Sequence, residues 1–251
     1  MTPDARPQTI LVDERDDRVI VTLNRPEFRN AIDQRMVVEL HAICEALEQA
    51  PRILILTGAG GVFASGADIA ELRERRAADA HRGINVGLFT RVAALPMPVI
   101  AALDGYALGG GAELAYAADF RLGTPRLRIG NPETGLGIIA AAGALWRLPE
   151  LVGVPLAKEI ALAGRVLTGE EALAARLVTE LHEPDALLPA AHALADRIAV
   201  NDPLATQYTK AVLHAGRGEH PRAEQEAQAV LFESPEKQRR MTEFLERRQR
   251  R

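Results

Sequence analysis

Three consecutive glycines, Gly109-Gly110-Gly111, stand between an apolar run at 99–103 and an acid at Glu113. The apolar run reads as a short buried strand, Asp104-Gly105 as its turn, and Glu113-Leu114-Ala115 as the opening of a helix. Residues without a Cβ let one stretch of backbone come close to another, or to a ligand. The chain is thereby confined to folds in which a helix start is held tightly beside a sheet. The plan recurs upstream, where the strand-like 53–57 runs into Gly58-Ala59-Gly60-Gly61-Val62-Phe63-Ala64-Ser65-Gly66-Ala67-Asp68-Ile69. For both loops two readings stand: free N–H groups at a helix start that bind negative charge, or glycines that serve packing alone, with Asp68 as a helix cap.

The remaining punctuation extends this rhythm. Residues 10–12 and 19–23 flank the polar turn Arg15-Asp16-Asp17 and predict a hairpin. Met36, Leu40, Ile43, Cys44 and Leu47 recur at helical spacing after Asp33, which turns Cys44 toward the core, and Pro51 stops the pattern. Further strands are predicted at 120–122, 127–129 and 177–181, and helices at 155–163, after the Thr168/Glu171 capping box, and at 185–200. The class is α/β, built from strand-strand-helix units, with a core over residues 1–195 and a C-terminal helical extension over 196–251.

Twenty positions beyond Glu113, a second acid closes Asn131-Pro132-Glu133 and precedes Gly135-Leu136-Gly137. Such an irregular stretch does not hold a helix-face ion pair, and a buried loop acid usually has a chemical reason. Glu113 also has a structural reading, as an acid favoured by the helix dipole. As a pair, the two acids point to general acid/base work. Other chemistries find no support. Phe63 stands where a nucleophile elbow at Ser65 needs glycine. Gly135-x-Gly137-x-x-Ala140 does not follow a strand, as a dinucleotide loop must. The six histidines show no zinc spacing, so no metal is expected. Trp146, in the apolar stretch 140–148, reads as core packing or as a pocket wall.

A lone Cys44 makes no internal disulfide, residues 1–7 lack the apolar stretch of a signal peptide, and no run approaches the roughly 20 apolar residues of a membrane span. A cytoplasmic protein without membrane partners is expected. The formal net charge of −4 gives no general attraction to polyanions, so nucleic acid is not an expected partner. Arg239, Arg240, Arg247, Arg248, Arg250 and Arg251 nevertheless make the last segment locally basic, and they read as a solvated helix face or as a phosphate-binding tail.

Taken together, Asn24-Arg25-Pro26 with Asn30-Ala31, Phe63-Ala64-Ser65-Gly66-Ala67-Asp68-Ile69, the stretch Asp104 to Leu114, Asn131-Pro132-Glu133 and Ala163-Gly164-Arg165 resemble the enoyl-CoA hydratase/isomerase family, the crotonases, from about Val19 to the end. The resemblance implies a spiral core with two roughly perpendicular sheets and a C-terminal helical region that forms trimers or hexamers. It implies an enoyl-CoA hydratase acting on acyl-CoA thioesters, as in fatty acid metabolism, with no cofactor beyond the CoA of the substrate. Glu113 and Glu133 fall on the family's catalytic acids, and Ala67 and Gly110 on its oxyanion-hole amides. Arg25, Arg29, Ala64, Gly66, Asp68, Ile69, Gly109 and Trp146 are the expected substrate-binding residues, with Arg247 or Arg248 as further phosphate contacts. The same site also serves isomerases and other enolate chemistry, and the fold has members that bind CoA or RNA without catalysis.

Two departures stand out. Where many members read Pro-Gly-x-Gly-Gly-Thr-Gln-Arg, this chain has Ala140-Ala141-Ala142-Gly143-Ala144-Leu145-Trp146-Arg147, which would reshape the wall around Glu133. Ala70 replaces a common lysine, removing one phosphate partner.

Overall fold

The computed structural model describes residues 9–249. The N-terminal segment and the last two arginines of the basic tail lie outside that range. Two compact units divide the chain, Met1–Ala195 and Asp196–Arg251.

In the first unit, β1 (Ile10–Glu14) and β2 (Arg18–Leu23) form the expected antiparallel hairpin, Ile10 opposite Leu23. Asp33 caps α1 (Gln34–Gln49) by accepting from the Met36 amide at 2.8 Å, and the helix buries Met36, Leu40, Cys44 and Leu47 along one face. Burial among these apolar neighbours pushes the Cys44 thiol up to about 11, as suits a packing residue. Next come β3 (Ile53–Gly58), α2 (Ile69–Glu74), α3 (Ala77–Arg82), α4 (Ile84–Ala93) and β4 (Val99–Leu103). They are followed by β5 (Tyr106–Leu108), α5 (Gly110–Tyr116), β6 (Phe120–Gly123) and β7 (Arg128–Gly130). The unit continues through α6 (Ala144–Ala163), β8 (Val166–Thr168), α7 (Gly169–Ala174) and β9 (Glu180–Leu181) to α8 (Pro184–Ala199), which runs across the boundary.

The strands make two sheets. One has the order β1-β2-β3-β4-β6-β9, parallel after the first pair, and the other is β5-β7-β8. Every residue of β4 is buried, as befits a central parallel strand covered on both faces. Of the short sheet only β7 answers to a predicted strand, that at 127–129; β5 and β8, three residues each, show no period and escape the sequence patterns. The strand expected at 177–181 shrinks to its last two residues. Leu177 and Val178 instead turn back, both amides donating to the Ala172 carbonyl, after Arg176 takes a left-handed φ of 58°. The helix expected at 155–163 begins at Ala144, and Gly153, with φ 77° and ψ 156°, breaks it between Pro149 and Pro155.

The short strand-turn-helix β4-β5-α5 places the glycine run. Ala64 bridges to Ala107, and the Leu108 amide donates to the Ala64 carbonyl at 3.0 Å, so the 63–68 loop is stitched along β5. Helix α5, whose seven residues are all buried, then passes directly over that loop. A Cβ on Gly111 would lie 2.4 Å from the Ala64 carbonyl oxygen and 2.7 Å from the Ala64 Cβ. Gly111→Ala is therefore expected to destabilise the fold by about 1–3 kcal/mol, the usual cost of overpacking, seen as a lower midpoint in chemical denaturation.

The second unit contains α9 (Pro203–Leu213), capped by Asp202 through the Ala205 amide at 2.7 Å, α10 (Arg222–Phe232), which packs on α9, and α11 (Pro235–Gln249). On α11 two of the tail arginines find carboxylates of their own helix: Arg239 pairs with Glu236 and Glu243, and Arg240 with Glu236, while Arg247 donates to the Glu243 carbonyl at 3.2 Å. Phe232, Met241, Phe244 and Leu245 are more than half exposed in this unit. Among the described residues no helix is long and apolar enough to cross a membrane.

Candidate active site

A cavity of about 610 Å³ opens in the first unit between three stretches of chain: the loop and helices spanning 65–86, the β5-to-α5 turn at 108–113, and residues 132–142. Both acids singled out in the sequence line it, as do Ala67 and Gly110. The backbone of the 63–68 loop explains the aim of Ala67. Gly66 accepts from the Ile32 amide at 2.8 Å and Asp68 donates to the Ile32 carbonyl at 3.0 Å, in the manner of a one-residue parallel bridge. In an extended chain the peptide groups alternate in direction, so the N–H of Ala67 itself points the other way, to the cavity side.

Gly110 opens α5, where the first amides have no acceptor one turn earlier. Its neighbour Gly109 donates to the Gly130 carbonyl at 2.9 Å, which fixes the turn and leaves the Gly110 N–H beside Ala67. A Cβ built on Gly110 would lie 3.4 Å from the Ala67 nitrogen. Neither amide has an acceptor among the described residues. Two donors thus share one small cradle, and a side chain at 110 would fill it.

Glu113 stands on α5 in the same first turn, only 3% exposed. Its Oε1 accepts from the Ala142 amide at 2.7 Å and the Ala144 amide at 3.1 Å, which tie the helix to the segment that carries the alanine departures. Burial pushes the carboxyl up to about 7, the nearby Glu133 adds to the rise, and the two amides and the Arg147 charge oppose it. Glu133 begins a short 3-10 turn (Glu133–Leu136) and is 8% exposed. Its Oε1 accepts from Asn131 Nδ2 at 3.2 Å and would lie 3.2 Å from a Cβ on Gly109, so the carboxyl rests against the glycine run. Its Oε2 is buried with no partner among the described residues, and burial raises this carboxyl too. Burial thus raises both carboxyls above the ordinary glutamate range, the direction that acid/base work near neutral pH requires.

The expected binding residues divide. Gly66, Ile69 and Gly109 line the cavity. Ala64 is buried beneath the loop, and Asp68 caps α2, accepting from the Ala70 amide at 3.0 Å. Arg25 does not line the cavity: its guanidinium faces Asp33 at 3.3 Å and Asp68 at 3.2 Å, donates to the Ala31 carbonyl at 2.6 Å, and lies 4.7 Å over the Phe28 ring. Those partners make it a clamp between α1 and the loop. Arg29, exposed in a left-handed turn, contributes its carbonyl to the Ser65 amide at 3.0 Å and is likewise outside the wall. Trp146 is neither core nor wall; it is 47% exposed on α6, with the Arg147 guanidinium 5.0 Å from its ring.

Several neighbours of the acids gave no signal in the sequence. Tyr116, one turn beyond Glu113, has a buried hydroxyl, and Arg147 a buried Nη1, with no partner among the described residues. Burial and both acids push the tyrosine up, and burial pushes the arginine down. Arg75 and Asn85, from α2–α4, join Ser65, Arg76 and Asp79 as polar groups in a cavity wall that also holds Leu72, Ile84, Val86, Leu136 and Ile138.

Comparison with known proteins gives a consistent picture. The family model described as Enoyl-CoA hydratase/isomerase matches residues 15–251. A crotonyl-CoA hydratase of Syntrophomonas wolfei is 34% identical over 96% of both chains. A 2,3-dehydroadipyl-CoA hydratase of Escherichia coli is 37% identical over 81% of both. Among solved structures, an enoyl-CoA hydratase from Bacillus anthracis superposes with a TM-score of 0.90 at 32% identity, covering 96% of this chain and 97% of that one.

Proposed function

The chain belongs to the enoyl-CoA hydratase/isomerase family, and from that premise we propose that it adds water reversibly across the double bond of a trans-2-enoyl-CoA, giving a 3-hydroxyacyl-CoA. The observation that carries this reading is the convergence of two buried carboxyls and two free amides on one cavity. The thioester oxygen takes the cradle of Ala67 and Gly110, where N–H donors stabilise the charge that gathers on it as the enolate forms. Glu113, ionised, accepts a proton from water through Oε2, since its Oε1 is engaged by Ala142 and Ala144. The water oxygen bonds to C3, and the double-bond electrons move toward the thioester. Glu133, neutral, then gives the proton on its unpartnered Oε2 to C2, the enolate collapses to the thioester with hydroxyl and proton added on one face, and the proton taken up by Glu113 passes back to Glu133 before the next turnover. The reaction so written calls on no group beyond the CoA of the substrate.

The apolar cavity wall supports an acyl chain as the occupant, and the exposed Phe232, Met241, Phe244 and Leu245 support a trimer, or a hexamer of two trimers, formed through the helical unit. Identification of the products from a trans-2-enoyl-CoA and from a 3-enoyl-CoA by mass spectrometry tests the reaction type. The 2-enoyl substrate should gain one water; shift of the double bond in the 3-enoyl substrate without hydration of the 2-enoyl one would make the protein an isomerase.

The carboxyls also set a pH profile. A base whose carboxyl titrates at about 7 is protonated, and idle, below that value. The acid-side limb of kcat/KM should therefore fall with a midpoint near 7 rather than near the ordinary glutamate value, as a property of the coupled pair. Rates followed from acidic to neutral pH check this; a plateau extending down to the ordinary glutamate range would rule out Glu113 as the base.

A further inference from the structure

One polar side chain of the cavity faces the amide cradle from the opposite stretch of chain. Asn85 is the second residue of α4, half-buried and part of the cavity wall. Arg75, at the end of α2, holds one end of its carboxamide through a contact of 3.4 Å from Nη1. A guanidinium has only donors, so the atom it faces must be the oxygen, Oδ1. The amide orientation is thereby fixed, and Nδ2 is left pointing away from Arg75. That nitrogen lies 3.7 Å from the point where a Gly110 Cβ would begin, the same point that the Ala67 nitrogen approaches to 3.4 Å. Nδ2 has no acceptor among the described residues. The positive charge of Arg75 on the oxygen side also polarises the amide and strengthens its N–H as a donor.

Donors from three separate segments thus surround one small space: a loop amide at 67, a helix-start amide at 110, and a side chain at 85. We propose that Asn85 is a further catalytic residue, a third hydrogen-bond donor through Nδ2 to the thioester oxygen, held in register by Arg75. The inference rests on the reading above that this oxygen occupies the cradle of Ala67 and Gly110. It adds to the two backbone donors a group that a point mutation can remove.

The test uses the full chain with 2,4-hexadienoyl-CoA, whose conjugated absorption moves to longer wavelength when its carbonyl is polarised. The same proteins are assayed for hydration of crotonyl-CoA. Asn85→Ala removes the donor, and Asn85→Asp keeps the shape while replacing the donor by a carboxylate. Wild type should shift the bound dienoyl band. Both variants should bind the probe with a smaller shift and lose kcat by about 10- to 100-fold, somewhat below the ~10²–10³ of a principal oxyanion donor. KM should change far less. A wild-type shift and kcat retained in both variants would overturn the role of Asn85 and leave the backbone cradle standing. Absence of both shift and hydration in wild type would overturn the cradle reading itself, and the role of Asn85 with it.

Discussion

Glutamine in place of Glu133 should lower kcat by a factor of at least ~10², on the scale of general acid/base contributions, while KM changes little. The substitution is nearly isosteric. A glutamine oxygen can still accept from Asn131 Nδ2, which at 3.2 Å holds Oε1 of the present carboxyl, so the side chain keeps its place against Gly109. What is lost is the proton on Oε2, the atom buried without a partner. An amide in that position donates a hydrogen bond but cannot give up a proton to carbon. Steady-state kinetics on a 2-enoyl-CoA, with circular dichroism to verify folding, read this directly. Unchanged turnover in Glu133→Gln would remove Glu133 from the mechanism.

Gly110→Ala is the second large effect, and its meaning depends on its neighbour. Gly110 keeps ordinary helical backbone angles at the start of α5, so alanine strains nothing there and is the better helix former. Its Cβ would nevertheless occupy the cradle, 3.4 Å from the Ala67 nitrogen, where the thioester oxygen is proposed to bind. A loss of ~10²–10³ in kcat is expected, comparable to removing an oxyanion donor, at unchanged thermal stability. Gly111→Ala, one residue on, should behave in the opposite sense, with the damage appearing first in stability because its Cβ meets the Ala64 backbone. Equal activity of Gly110→Ala and wild type would place the substrate carbonyl elsewhere.

Much of this arrangement was legible in the chain because glycine and acid punctuate it. The runs at 58–69 and 104–113 mark strand ends and helix starts, whereas the resemblance to the crotonases, rather than spacing, singled out Ala67, Gly110, Glu113 and Glu133, which all line one cavity. The α1 pattern placed Cys44 in the core for a similar reason, a clear period over several turns. Charge alone does not show what holds Arg25. It reads as a phosphate partner, and the fold adds Asp33 and Asp68 beside it, the second of these distant in sequence. Trp146 misled because apolar neighbours in sequence do not fix which face of α6 turns outward. The polar groups from α2–α4 gave no signal at all. Arg75 and Asn85 stand ten residues apart in short helices, and only the folded backbone shows that one orients the other toward Gly110.

Whether the buried acids and the amide cradle add water to an enoyl thioester is read by mixing purified protein with crotonyl-CoA and following the absorbance of the conjugated thioester. Rapid loss of that absorbance, with 3-hydroxybutyryl-CoA as the product, is the predicted result. A stable absorbance with crotonyl-CoA and with longer and branched 2-enoyl-CoAs alike would contradict it.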